Sequence, residues 1–433
     1  MKKKTWILAS SLGLVLVVVS VVATLLLTPV LTTKASGTAT NGVDASGTFV
    51  IAWNKELLKI VKTPGAQPAT IHPTRSYAIL HAAIYDAVVS ITGDAPAYLF
   101  SVGAPSGARA DAAAAQAGHD ALVALYPKWK AALDAQLAGE LATIPSGAGK
   151  QQGIQVGQTV ATRLLATRAT DGSADKASPF VPGNQPGNYQ LTPPKFAAPV
   201  FTTWGNVTPF VLNNGAQFRP GPPPAVTSQA YIQALNEVKS LGQNTSTTRT
   251  ADQTVIAKFW AGPIWNTWNE IAENAALAHH TNLETTARLF AVLNLSFADS
   301  TIAFYDAKYF YQLWRPVTAI RLAKTGGNPA VVGDPTWTPL AATALDPSYP
   351  SAHGVISGDG AVVLSAFFGN QDHIRLTSDV LPGVVRTFTS YSDVTTEAGL
   401  SRIYAGQHTR IEVQVGSQLG QNVAEFVISD LGV

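Results

Sequence analysis

Apolar side chains recur at three- and four-residue spacing along most of this chain, the mark of helices that bury one stripe. The period predicts helices over residues 77–91, 109–125, 129–141 and 151–165. It resumes over 229–241, 251–260, 265–279 and a long segment from 283 to 313, and again over 354–368, 375–391 and 409–431. Strand-like alternation is scarce, and no repeat recurs at a short fixed period. The expected fold class is all-α, a helical bundle. Residues 171–226 break the pattern. Pro179, Pro182, Pro186, Pro193, Pro194, Pro220, Pro222, Pro223 and Pro224 crowd there with several glycines. Such long irregular excursions in compact proteins serve function or wrap a neighbouring element.

The N-terminus has a different texture. Lys2, Lys3 and Lys4 precede an almost unbroken apolar run from Trp6 to Leu31. At about 1.5 Å per residue, that run is long enough to cross a hydrocarbon layer of about 30 Å. Residues 1–31 are therefore expected to be a signal sequence or a membrane anchor, and both readings stay open. Residues 32–47, rich in Ser, Thr, Gly and Ala, read as a flexible stalk, and 48–433 as a single helical catalytic domain. The lysines favour the cytoplasmic side, which puts the body of the chain outside, secreted or tethered. Any membrane contact is expected through the N-terminal segment alone.

Composition narrows the chemistry. The 433 residues are 46% hydrophobic and 13% charged, with a net charge of +2, so no global field points to nucleic acid. Anion binding has to come from a local cluster of cations. With no cysteine, disulfides, thiolate metal sites and a Cys nucleophile are all excluded.

Three short segments could supply such a cluster. Lys308 and Arg315 lie seven residues apart, about 20° around a continuous helix, before Pro316 ends or bends it. Two cations on one stripe of an apolar helix are costly unless an anion meets them, or unless they snorkel at the surface. Next, Tyr349-Pro350-Ser351-Ala352-His353-Gly354 opens an apolar helical run. Ser351 suits an N-cap, and the free N–H groups of the following turn favour an oxyanion. A plain Ser cap with a nearby surface His is the alternative. Third, Arg402 and His408 flank Gly406, where a break would let both turn toward one point. Glu412, four residues after His408, could accept a hydrogen bond from its ring and fix the tautomer.

In this order, Lys-x6-Arg-Pro, Pro-Ser-x-His and Ser-Arg-x3-Gly-x-His resemble the three-part signature shared by vanadium-dependent haloperoxidases and type-2 phosphatidic-acid phosphatases. Trp314–Arg321, Tyr349-Pro350-Ser351, Leu80–Ala87 and Phe259-Trp260 look more like the haloperoxidase branch. The signature spans 308–412, and a weaker likeness runs over roughly 50–430. The resemblance implies the helical-bundle core of the haloperoxidase and acid phosphatase type, with vanadate as cofactor. Lys308, Arg315 and Arg402 would bind its oxygens, assisted by the Ser351 hydroxyl and the Ala352 N–H. His408 would bond the metal axially, and His353 would be the acid–base group. Hydrogen peroxide and halide would be the substrates, and a hypohalous species the product. The same pocket in a phosphatase would use His408 as nucleophile and His353 as general acid toward a phosphoester. Three positions depart from the pattern. Ala352 stands where Gly is usual, Glu412 where Asp is common, and Asp346 where halogenating members carry an aromatic or His. An ionised acid at 346 would repel halide, which favours bromide or iodide over chloride.

Overall fold

The computed structural model describes residues 47–176, 179–323 and 331–433. The expected signal or anchor, and the stalk apart from Gly47, lie outside those residues. The helices are α1 (Thr48–Lys62), α2 (Pro73–Thr92), α3 (Ala110–Leu125), α4 (Lys130–Thr143), α5 (Ala148–Arg168), α6 (Gln229–Leu241), α7 (Ala251–Phe259), α8 (Ile264–Ala278) and α9 (Leu283–Tyr311). After them come α10 (Pro316–Arg321), α11 (Ala352–Phe368), strands β1 (Gln371–Thr377) and β2 (Val385–Ser390), α12 (Tyr391–Tyr404) and α13 (Arg410–Asp430). The chain is mostly helical, as its periodicity predicts.

Local chemistry sets the helix starts. Asn282 caps α9 by accepting the Thr285 N–H at 2.8 Å, and Thr409 with Glu412 closes a reciprocal capping box on α13. By length and composition α9 could cross a membrane, yet it is almost wholly buried within the protein. It is the central core helix.

One predicted helix is absent. Residues 375–391 form most of an antiparallel hairpin, with Arg375 opposite Thr387 and Thr377 opposite Val385. The stretch is rich in Val and Thr, which favour pleated backbone, and Gly383 turns it at φ 84°. Ile374 and Leu376 are buried while their neighbours face outward, a two-residue period that overrides the helical reading.

The helices form two bundles that repeat one packing scheme. In the first, α2 carries Tyr77-Ala78-Ile79-Leu80-His81, with Asp86 five residues on; in the second, α9 carries Phe290-Ala291-Val292-Leu293-Asn294, with Asp299 five residues on. His81 bonds Asn54 of α1 at 2.9 Å, and Asn294 bonds Asn269 of α8 at 3.0 Å. Trp53 precedes Asn54, and Trp268 precedes Asn269. Each indole lies so close to a glycine, Gly118 of α3 or Gly360 of α11, that a Cβ there would come within 2.7 or 2.6 Å of it. Gly153 and Gly157 seat α5 on α3 as Gly416 and Gly420 seat α13 on α11. A methyl at Gly420 would lie 1.9 Å from the Val355 carbonyl oxygen, so the site's two helices touch backbone to backbone.

The Pro/Gly-rich excursion wraps α9. Asp299 accepts three backbone N–H groups, from Phe210, Val211 and Leu212, at 2.6, 2.7 and 2.8 Å. Arg219 forks onto Asp306 at 2.6 and 2.8 Å. Asp86 makes the same three-donor clasp in the first bundle, on Tyr98, Leu99 and Phe100.

Candidate active site

The site gathers where α9, α11, α12 and α13 approach one another. Lys308 lies in the last turn of α9 and is fully buried. Arg315 does not share its helix, contrary to the expectation of one continuous stripe. Gln312 takes a left-handed conformation (φ 48°) and stops α9 after Tyr311. The chain then runs extended. The Gln312 carbonyl accepts the Tyr189 N–H at 2.6 Å, and the Trp314 N–H donates to Gly187 at 2.9 Å. Those bonds to the excursion replace the lost helical ones. Arg315 becomes the residue that precedes α10, with Pro316 in its first turn.

Arg315 is 1% exposed, and each of its three nitrogens is engaged. Nε gives to the Asp346 carbonyl at 2.7 Å and Nη1 to the Gln407 carbonyl at 3.2 Å. Nη1 also lies 3.1 Å from His408 Nε2, and Nη2 bonds the Asp346 carboxylate. Lys308 Nζ donates to the Pro347 carbonyl and sits 3.5 Å from Asp346 Oδ1. Burial lowers the Lys308 pKa to about 8, against the opposing pull of Asp346.

Beyond α12 the turn closes around the Arg402 carbonyl, which accepts the N–H groups of Gln407 at 2.9 Å and His408 at 3.4 Å. Gly406 makes this possible at φ 77°, packed against Gly242 and Pro339, where no side chain fits. His408 is thereby brought back toward Arg402. Its Nδ1 lies 2.8 Å from Glu412 Oε2. Because Arg315 donates to Nε2, the ring proton resides on Nδ1, and the Nε2 lone pair faces the cations. Burial first, then the charges of Arg315, Lys308 and Arg402, holds His408 well below the usual imidazole range. Glu412 is braced in turn by the Ser348 hydroxyl at 2.7 Å and the Thr409 N–H at 3.2 Å. Burial pushes its carboxyl up to about 7.

Ser351 caps α11 by accepting the Gly354 N–H at 3.4 Å, which leaves its own proton to donate. Ala352 and His353 form the first turn behind it. His353 Nε2 donates to the Trp260 carbonyl at 3.0 Å, and Arg402 Nη1 reaches the same oxygen at 3.4 Å. Burial and the Arg402 charge keep His353 neutral, opposed by the carbonyls of Trp260 and Gly262. Arg402 Nε is buried with no hydrogen-bond partner in the protein, and burial lowers this guanidinium to about 10. A cleft of about 460 Å³ opens beside Trp260, lined by Lys62, Phe259, Pro263, Ser378 and Asp379 among others.

Lys308, Arg315, Ser351, Ala352, His353, Arg402, His408 and Glu412, each singled out in the sequence, therefore lie in one neighbourhood. Two partners were not foreseen there: Ser348, which braces Glu412, and Gln407, whose carbonyl orients Arg315. Ser348 precedes the Tyr-Pro-Ser motif directly, but a lone hydroxyl carries no signal until its partner is placed. The donor set suits an anion. Three buried cations, a hydroxyl, an imidazole lone pair and one orphaned guanidinium N–H lie in this neighbourhood, and no group of acidic and imidazole ligands fit for a metal cation occurs among the described residues.

Comparison with known proteins bears on the fold. Residues 288–431 match the family model for the VCPO second helical-bundle domain. The bacterial vanadium-dependent iodoperoxidase structure superposes with a TM-score of 0.78 at 24% identity, covering 90% of this chain and 97% of that one. The fold is that of the vanadium haloperoxidases. A holo-type bacterial vanadium-dependent chloroperoxidase aligns with a TM-score of 0.66 at 15% identity, over 86% of this chain and 95% of its own. The vanadium chloroperoxidase of Curvularia inaequalis is 24% identical over 261 residues, which span 44% of this chain and 42% of that protein. The haloperoxidase likeness thus extends across both bundles in structure, whereas the family-model match is confined to residues 288–431, which carry the cations.

Proposed function

We propose that this chain is a vanadate-dependent peroxidase that oxidises halide, bromide or iodide, with hydrogen peroxide to a hypohalous species. The observation that carries the reading is Arg315 Nη1 at 3.1 Å from the lone pair of His408, with the charges of Lys308 and Arg402 near enough to act on that ring, in a haloperoxidase fold. The buried donors fit vanadate. Lys308, Arg315 and Arg402 would hold its oxygens, with Ser351 and the Ala352 N–H beside them, and His408 Nε2 would ligate the metal. Bound there, vanadate supplies a Lewis acid that activates peroxide toward halide. The chain's own residues do the rest. The cations neutralise the oxyanion, Glu412 keeps the His408 proton on Nδ1, and His353 takes and returns a proton at the open side. Halide, peroxide and one proton give hypohalous acid and water. The cleft beside Trp260 offers room for an organic acceptor. The lysine-led apolar N-terminus supports an extracytoplasmic setting.

The test is halide-dependent peroxide consumption by the vanadate-loaded full chain. Oxidation of bromide or iodide is expected between about pH 5 and 8. The aimed lone pair of His408 would equally suit attack on phosphorus. Phosphoester turnover that vanadate blocks, with no halide oxidation, would assign the site to a phosphatase instead.

Anion binding should also follow Lys308. Its folded pKa of about 8 is lowered by burial, so it is protonated below that value and neutral above it. Sulfate, whose own charge is constant here, should bind fully below about pH 8 and weaken above it, by up to about tenfold per pH unit. Calorimetric titration checks this, and a flat profile would remove Lys308 from the anion's shell.

A further inference from the structure

Asp346 has no part in the reaction just described, yet it lies against the pocket at 7% exposure. Its carboxylate bonds Arg315 Nη2 and stands 3.5 Å from Lys308 Nζ. Two of the three cations offered to an oxyanion thus already share an anion of the protein's own. The third is different. Arg402 reaches one carbonyl, and its buried Nε has no partner. We infer that Asp346 is an internal competitor for the oxyanion at Lys308 and Arg315, and that it sets both the affinity and the charge preference of the pocket. This rests on the oxyanion-pocket reading above.

The charges support it. Lys308, Arg315 and Arg402 contribute three positive charges, and both imidazoles are held neutral. Asp346 offsets one of them at Lys308 and Arg315. The other carboxyl nearby, Glu412, is occupied by His408, Ser348 and the Thr409 N–H. For an oxyanion to engage Arg315 Nη2 and Lys308 Nζ, the Asp346 carboxylate has to yield them or repel the guest from a few ångströms away. Arg315 does not depend on that carboxylate for its orientation. Three other contacts fix it, at the Asp346 carbonyl, the Gln407 carbonyl and His408.

The direction of the effect separates competition from simple support. Calorimetric binding of orthovanadate and of inorganic phosphate to the full chain is measured at about pH 6.5, where Lys308 is protonated. Asp346→Asn and, as a second charge-free variant, Asp346→Ser should each bind both anions at least about tenfold more tightly than the wild type. Asp346→Glu, which keeps the charge, should stay within about threefold of wild type. Equal or weaker binding in the charge-free variants that give cooperative melting overturns the inference and makes Asp346 a support for Arg315. Arg402→Ala separates the two levels of argument. If it binds as tightly as wild type, or if no form binds either anion, the oxyanion pocket itself is wrong.

Discussion

His408→Ala is expected to lose halide oxidation by at least about a thousandfold. The ring presents the lone pair of Nε2 to Arg315. Arg315 donates toward Nε2 at 3.1 Å, and Glu412 fixes the proton on the far side at 2.8 Å. Alanine leaves the three cations in place but removes the group that would bond the vanadium. Residual anion binding should therefore survive while turnover does not. Glu412→Gln gives the graded control. It keeps an acceptor for Nδ1–H but drops the charge, and a loss of about ten- to a hundredfold is expected. Peroxide consumption and vanadate affinity, measured side by side, check both. Turnover within tenfold of wild type in His408→Ala would end the proposed role of this residue.

Asp299→Ala is expected to lower stability by about 4 kcal/mol, far from any chemistry. Asp299 is fully buried, and three consecutive N–H groups of the excursion point at its two oxygens. Removing the carboxylate leaves those donors without acceptors, each worth about 1–3 kcal/mol if water is kept out, and some relaxation of the loop returns part of that. Burial raises this carboxyl to about 6. Urea denaturation is therefore best measured near pH 8, about two units above that value, with the acid ionised in both states. A midpoint shift at unchanged slope is the expected signature. A loss below about 1 kcal/mol would mean that residues 210–212 find other partners.

The helical class and the site's membership were legible because both are local. Three-to-four periodicity marks α2, α9 and α13, and each of the three motifs carries its own capping or turn residue: Pro316, Ser351 and Gly406. What stayed hidden depended on distant partners. Nothing within residues 308–316 announces that α9 stops at Tyr311, because the bonds that hold Gln312 and Trp314 come from residues 187 and 189. Over 375–391 helical spacing outweighs the β-branched content and a single turning glycine, so the sequence predicts a helix where the hairpin forms. The pairing of Asp346 with Arg315 and Lys308 was likewise out of reach. From sequence, that acid reads as a repeller of halide, whereas in the fold it is first a neighbour of cations. The twofold repeat is not legible in the sequence because its matching segments stand some two hundred residues apart at uneven offsets.

That repeat has a consequence for how the chain can vary. Where α11 begins with Ser351 and His353, its twin α3 begins after Arg109, which pairs with Asp111 at 3.0 Å and so cancels its own charge. The first bundle shares the seating of the helices and carries none of the site's cations. Substitutions at 109–111 should therefore act through packing alone, whereas those at 351–353 act on packing and on the site together.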